Sequence, residues 1–217
     1  MTDVGSRLEN TVVEIKDTSK IYGDVVAGRW YKNAVDYSYS HGFISGMSST
    51  EFGIGTNITR GMFITILARI AGVDTGKAAN NVSTRFNDVE RGKYYTAAIK
   101  WASENKIVNG MSTVTFEPSL PIQRQQLCVM IVNFAKFTRT PVDGATARIR
   151  FEDERLIASW AKASVVTCQT AGIISGYDIG HSEYEFRPTN TATRAEAAQI
   201  LYKFHSAFYS KRDINRH

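Results

Sequence analysis

At 217 residues, with 43% hydrophobic and 11% aromatic content and only four prolines, the chain has globular composition, which excludes a disordered linker. No apolar run reaches the roughly 18 to 20 residues that cross a bilayer, so no membrane insertion is expected. A net charge of +5 and a sequence pI of about 9.2 fit either a solvated basic surface or an anionic partner and name neither.

The opening Met1-Thr2-Asp3-Val4-Gly5 lacks the basic and apolar regions of a secretion signal. Either a cytosolic protein or an excised piece of a longer exported one is therefore expected. Residues 1–20 form a lead. Its stretch Arg7-Leu8-Glu9-Asn10-Thr11-Val12-Val13-Glu14-Ile15-Lys16 reads equally as the last strand of an upstream domain or as a short helix against the main body.

One phrase then recurs three times. In the first copy it runs Asp24, Trp30, Ala34, Gly46, Phe52, Arg60, and in the second Asp88, Tyr94, Ala98, Gly110, Phe116, Arg124, every pair 64 positions apart. The third copy reads Asp153, Trp160, Ser164, Gly176, Phe186, Arg194, and its offset from the second grows from 65 to 66 to 70. Its insertions fall before Trp160 and between Gly176 and Phe186, where loops lengthen cheaply. Such a period marks a duplicated supersecondary unit. The copies occupy residues 21–80, 81–145 and 146–210, followed by a basic tail over 211–217 that is expected to fray. Units of roughly 60 residues bury too little surface to stand alone, so the three should fold as one body.

Within each unit the spacing predicts a first helix, from Trp30 to about Ser40, Tyr94 to about Asn105 and Ser159 to about Thr170. Its inward face is read as Tyr94, Ala97, Ala98, Trp101, Ala102 in the second copy and Trp160, Ala163, Ser164, Val165, Cys168 in the third. A tight turn follows, Ser45-Gly46-Met47, Asn109-Gly110-Met111 or Ser175-Gly176-Tyr177. Its glycine supplies left-handed backbone or a surface bare of side chain, serving a plain helix stop or the close approach of another molecule. Phe52, Phe116 and Phe186 are loop anchors plugged into the core, two of them in Phe-x-Pro. The second helix opens at Arg60, Arg124 or Arg194. Thr193 with Glu196 makes a capping box, which Gln123 with Gln126 imitates weakly and Thr59 with Met62 lacks.

An arginine in the first turn opposes the helix dipole. Three repetitions of that cost imply compensation, either by the recurrent Asp24, Asp88 or Asp153, or by an external anion gripped jointly by guanidinium and free N–H groups. Cys128 and Cys168 lie in apolar helical patterns and read as buried small hydrophobes. The four histidines are scattered, and neither metal nor cofactor is implied.

These residues resemble the S-layer homology (SLH) family, whose modules occur in threes on bacterial surface proteins. The resemblance rests on Phe86-Asn87-Asp88, Ala98-Ile99, Ile107-Val108-Asn109-Gly110 and Phe116-Glu117-Pro118; on Phe151-Glu152-Asp153, Gly172-Ile173-Ile174-Ser175-Gly176, Phe186-Arg187-Pro188 and Thr193-Arg194-Ala195-Glu196; and on Trp30, Ala34-Val35, Gly42-Phe43-Ile44-Ser45-Gly46 and Thr59-Arg60. The first copy departs from the pattern at Phe52-Gly53-Ile54 and Gly61-Met62, and the second at Gln123-Arg124-Gln125-Gln126. The resemblance implies an all-α, mainly helical repeat: a three-pronged spindle around a central three-helix bundle. It implies non-covalent anchoring at the cell wall through secondary cell-wall polysaccharide, often pyruvylated, bound in grooves that combine neighbouring copies. Carried over by position, the ligand-binding set is Arg60, Arg124 and Arg194; Trp30, Tyr94 and Trp160; and the three turns Ser45-Gly46-Met47, Asn109-Gly110-Met111 and Ser175-Gly176-Tyr177, with Asp24, Asp88 and Asp153 in support. No catalytic residue, no nucleic acid and no particular oligomeric state is implied.

Two other classes compete. A glycan-cleaving enzyme would need a carboxylate pair such as Asp88 with Glu117, yet a site repeated three times without an asymmetric catalytic residue argues against it. A nucleic-acid binder would suit the pI, but no helix carries a basic stripe with base-reading residues.

Overall fold

Six α-helices carry the three copies in the computed structural model, which describes residues 13–76, 82–144 and 146–209. They are α1 (Lys32–Ser40), α2 (Arg60–Ile70), α3 (Thr96–Glu104), α4 (Arg124–Phe137), α5 (Ser159–Thr170) and α6 (Arg194–Phe204). The sole sheet among the described residues is an antiparallel hairpin of β1 (Tyr177–Gly180) and β2 (Glu183–Glu185). It is the extra length of the third copy. In copies one and two the same loop is closed by Met47 N–H to Glu51 O and Met111 N–H to Thr115 O, both about where Tyr177 pairs with Glu185.

The first helices of copies one and two start two residues later than their periodicity predicts. Tyr31 and Tyr95 take the N-cap positions and turn inward, each packed edge-on against the preceding Trp30 or Tyr94, with centroids 5.4 and 5.0 Å apart. The predicted inward face holds at Ala98, Ala102, Val165 and Cys168 and fails at its first aromatic. Tyr94 and Trp160 are exposed, and the buried positions are Thr96, Ala98, Ile99 and Ala102 in α3 and Ala161, Val165, Cys168 and Gln169 in α5. By contrast α2, α4 and α6 are buried on nearly every side, as befits helices at the centre of a body.

Helices pair between copies. α2 packs on α3, α4 on α5, and α6 returns to α1, so each prong joins the second helix of one copy to the first helix of the next. The circle is sealed where the second helices begin. Ile58 N–H donates to Ala192 O (2.9 Å), Ala192 N–H to Ile122 O (3.1 Å) and Ile122 N–H to Ile58 O (3.0 Å), a closed ring of equivalent residues. At the other end Tyr209, outside the repeat, meets the equivalent position of all three copies. Its hydroxyl donates to Ile70 O (3.2 Å), and its ring lies 5.7 Å from Phe134 and 6.1 Å from Phe204.

Cys128 and Cys168 are free and fully buried where α4 meets α5, as expected. The contact with Cys128, then desolvation, pushes the Cys168 thiol well up. Of the lead, Arg7 to Val12 fall outside the described residues, as does the tail over 211–217. Val13 to Lys16 are irregular, leading to a 3-10 turn at Thr18–Lys20, where Thr18 N–H and Oγ1 both donate to Asp36 of α1.

Candidate functional site

The three helix-opening arginines are 3%, 4% and 6% exposed at Arg60, Arg124 and Arg194, and each reaches into the following copy. Arg60 Nε donates to Phe116 O (2.9 Å), Arg124 Nε to Phe186 O (2.8 Å) and Arg194 Nε to Phe52 O (2.9 Å). Each guanidinium also lies over the ring of that phenylalanine, at 4.6, 5.2 and 4.9 Å respectively. The phenylalanines are fully buried, as loop anchors should be.

Two expectations about this region are corrected. Asp24, Asp88 and Asp153 make no salt bridge with the arginines. Asp24 accepts N–H bonds from Phe52, Gly53 and Ile54 (2.7, 2.7 and 2.9 Å), Asp88 from Phe116 and Glu117 (2.8 and 2.6 Å), and Asp153 from Phe186 and Arg187 (2.8 and 2.7 Å). The carboxylate ties down the phenylalanine loop, whose next residue has positive φ in every copy: Gly53, Glu117 and Arg187. Burial pushes the Asp24 carboxyl up, but the N–H groups of Ile54, Phe52 and Gly53 outweigh it and leave it below the usual range.

The helix starts are likewise closed to an external anion. Arg60, Arg124 and Arg194 N–H donate to Leu120, Asn190 and Thr56 O (2.9, 2.9 and 2.8 Å), while Gly61, Gln125 and Ala195 N–H turn to Pro118, Pro188 and Ile54 O (2.8, 3.1 and 3.4 Å). Met62 and Glu196 N–H bond the cap hydroxyls of Thr59 and Thr193 (both 3.2 Å). The second and third caps are both reciprocal, with Gln123 N–H on Gln126 Oε1 at 3.2 Å and Thr193 N–H on Glu196 Oε2 at 2.8 Å.

The turn glycines serve close approach, and their φ is not positive. A Cβ at Gly46 would sit 2.4 Å from the Tyr22 ring, at Gly110 2.2 Å from Ser112 O and at Gly176 2.7 Å from the Phe151 ring. Left-handed backbone falls four residues earlier, at Gly42, Lys106 and Gly172.

What remains of each guanidinium differs. Arg124 is fully engaged: Nη2 donates to Ser175 O (2.9 Å), Nη1 to Tyr177 Oη (3.3 Å), and Nη1 is 3.9 Å from Glu196 Oε1. The Tyr177 hydroxyl donates to Glu196 (2.5 Å), and its ring has Arg124 and Arg187 guanidinium carbons each 4.6 Å from its centroid. Arg194 spends Nη2 on Ser45 O (2.5 Å), and among the described residues its Nη1 has no hydrogen-bond partner. Arg60 makes neither bond, so both its Nη atoms are unpaired among the described residues. They still meet solvent, because Ser38 Oγ is the one buried side-chain polar atom left without a partner there. Burial pushes Arg60 down to about 10, against the pull of Asp88 and Glu117. It lowers Arg194 too, opposed by Asp24, Tyr22 and Tyr94.

A side-chain contact that the sequence did not reveal lies beside each turn. The helix position three beyond each N-cap faces the turn of its own copy: Glu196 meets Tyr177, and Gln126 Nε2 meets Met111 Sδ (3.5 Å). The first-copy equivalents are Met62 and Met47, and Met47 lies beside Gly53 with Arg194 Nε close by. Trp30, Tyr94 and Trp160 stand in solvent at 61%, 50% and 57% exposure.

The S-layer homology domain model matches residues 16–62, 85–128 and 150–198. Similar proteins include the S-layer protein sap of Bacillus anthracis (26% identical over 95% of this chain and 24% of the relative) and a cellulosome-anchoring protein of Acetivibrio thermocellus (26%, covering 73% and 34%). An amylopullulanase of Thermoanaerobacterium thermosulfurigenes is 25% identical over 84% of this chain but only 9% of its own length. The chain thus spans at most about a third of these relatives. No helix among the described residues is long and apolar enough to cross a membrane. With three tandem matches on a helical body closed across its copies, the chain belongs to the S-layer homology domain family, the anchoring modules of the bacterial cell surface.

Proposed function

We propose that the chain anchors its parent protein by binding an anionic, pyruvylated secondary cell-wall polysaccharide in the grooves at Arg60 and Arg194, while Tyr177 fills the groove at Arg124. The observation that carries this reading is the Arg60 guanidinium. Its Nε is spent on the scaffold, yet its outer edge still meets solvent, is charged and is unpaired among the described residues. A carboxylate accepting from both Nη atoms would complete a bidentate pair. By equivalence with Arg124, whose guanidinium meets Ser175, Tyr177 and Glu196, the groups expected beside that edge are Asn109, Met111 and Gln126, backbone, apolar and amide groups suited to a sugar. Tyr94, exposed on the second copy, offers an aromatic face for the apolar side of a sugar ring.

The cellulosome-anchoring and S-layer relatives support the anchoring role, and the amylopullulanase fits a module attached to a catalytic parent. The carboxylate pair of a glycan-cleaving site finds no support, since both Asp88 oxygens are occupied by backbone N–H groups.

Sedimentation with purified sacculi, before and after removal of wall glycan or of its pyruvyl groups, tests the reading. Because Arg60 also braces the fold, Arg60→Ala is paired with Met111→Tyr/Gln126→Glu, which rebuilds the Tyr177 plug and keeps the arginine. Both variants should bind less at unchanged melting temperature for the second. Retention on stripped peptidoglycan would overturn the reading.

A further inference from the structure

The third copy has a second concave surface, apart from the grooves. A cavity of about 510 Å³ is lined by Arg148, Arg150, Arg155 and Lys162 with a single acid, Glu154. That volume lies within the roughly 300 to 1,000 Å³ of ligand clefts. The loop before Phe151, the 3-10 turn Glu154–Leu156 and the start of α5 each contribute, so chain folding gathers the cations. Glu154 is taken by Arg148 Nη2 (2.5 Å). Among the described residues the side chains of Arg150, Arg155 and Lys162 make no hydrogen bond or ion pair, and all three are exposed.

The cluster is no part of the shared plan. Copy two has Ser83, Arg85, Glu90 and Thr96 at these places, and copy one Ser19, Ile21, Val26 and Lys32, of which Lys32 is bound to Asp17 and Asp36. Below the cations lies an adjoining apolar dimple with Ile149, Ile157 and Val166 in its lining, sharing Arg148, Glu154 and Lys162 with the cleft. Like charges around one hollow repel unless a polyanion occupies it.

We propose that this cleft is a second contact for an acidic saccharide chain, its carboxylates met by Arg150, Arg155 and Lys162. A cleft of about 510 Å³ whose cations come from three separate segments suits an extended anion over a small oxyanion. The proposal takes its ligand class from the wall-glycan reading but uses none of the groove residues. It also places the added site on the copy whose turn carries the filling Tyr177.

Trigalacturonate serves as probe, with maltotriose, tripolyphosphate and a short DNA duplex alongside, each titrated calorimetrically against the whole chain. Trigalacturonate should bind the native chain, weaken about tenfold or more in Arg150→Gln/Arg155→Gln/Lys162→Gln, and lose affinity as salt rises. These exposed substitutions should leave the melting temperature unchanged. Met111→Tyr/Gln126→Glu should leave this component of binding intact. Undiminished binding by the triple variant, equal binding of maltotriose, or tighter binding of tripolyphosphate or DNA than of trigalacturonate would overturn the proposal. If sacculus retention falls only with the groove variant, the cleft fails and the groove reading stands; if only with the triple variant, the reverse holds.

Discussion

The settings of Arg60 and Arg124 begin identically and end differently. In both, Nε bonds a phenylalanine carbonyl of the next copy and the guanidinium covers that ring. Beyond this, both outer nitrogens of Arg60 are unpaired among the described residues, while Ser175 O takes Nη2 of Arg124 and Tyr177, backed by Glu196, takes Nη1. A residue repeated three times is thus a brace between copies first. The copies differ at the turn position after the glycine and at the third helical residue, Met111 and Gln126 in the second copy against Tyr177 and Glu196 in the third.

If the brace is common to all copies, Phe52→Ala, Phe116→Ala and Phe186→Ala should each cost about 3 to 5 kcal/mol in chemical denaturation. One markedly cheaper substitution would break the equivalence. Next comes the carboxylate beneath each loop. Asp24→Ala should cost about 2 to 3 kcal/mol, since it strips three charge-assisted acceptors, and more than Asp88→Ala or Asp153→Ala, which strip two. The Asp24 pKa is depressed in the folded protein, so its contribution is complete above the ordinary carboxylate range and fades as pH falls through the lower folded value. Asp24→Asn should therefore flatten the acid limb of the stability profile and leave the alkaline limb alone.

The comparison sharpens most directly through Tyr177→Met. Binding stoichiometry for the wall glycan should rise from two to three, at a stability cost of about 1 kcal/mol for the lost hydroxyl bonds. An unchanged stoichiometry would mean that the Arg124 groove is shut by more than this ring. The smallest effect concerns the helix stop. Lys106 adopts the positive φ that Gly42 and Gly172 adopt in the other copies, so Lys106→Gly should stabilise by about 0.5 to 1 kcal/mol, read as a higher melting temperature.

Much of this was legible in the chain. The 64-residue period located the copies, the insertion in the third and the buried phenylalanines, because those depend on local spacing. Helical periodicity missed the starts of α1 and α3 because two adjacent aromatics compete for the inward position, and Tyr31 and Tyr95 win it over Trp30 and Tyr94. The partners of Arg60 and Asp24 were hidden for a different reason. A repeat shows which residues are equivalent and leaves open which copy each one touches. Tyr209, which closes the far end of the body, has no counterpart in the phrase and so gave no signal.

The circle of Ile58, Ile122 and Ala192 bonds counts the copies. Each main-chain amide finds its acceptor one third of a revolution away, so two copies would leave an arc with loose ends and four would have no seat for the last. Deleting one copy should therefore dissolve the anchor instead of shortening it, and selection on such a chain can vary the cargo freely while the number three stays fixed by angle.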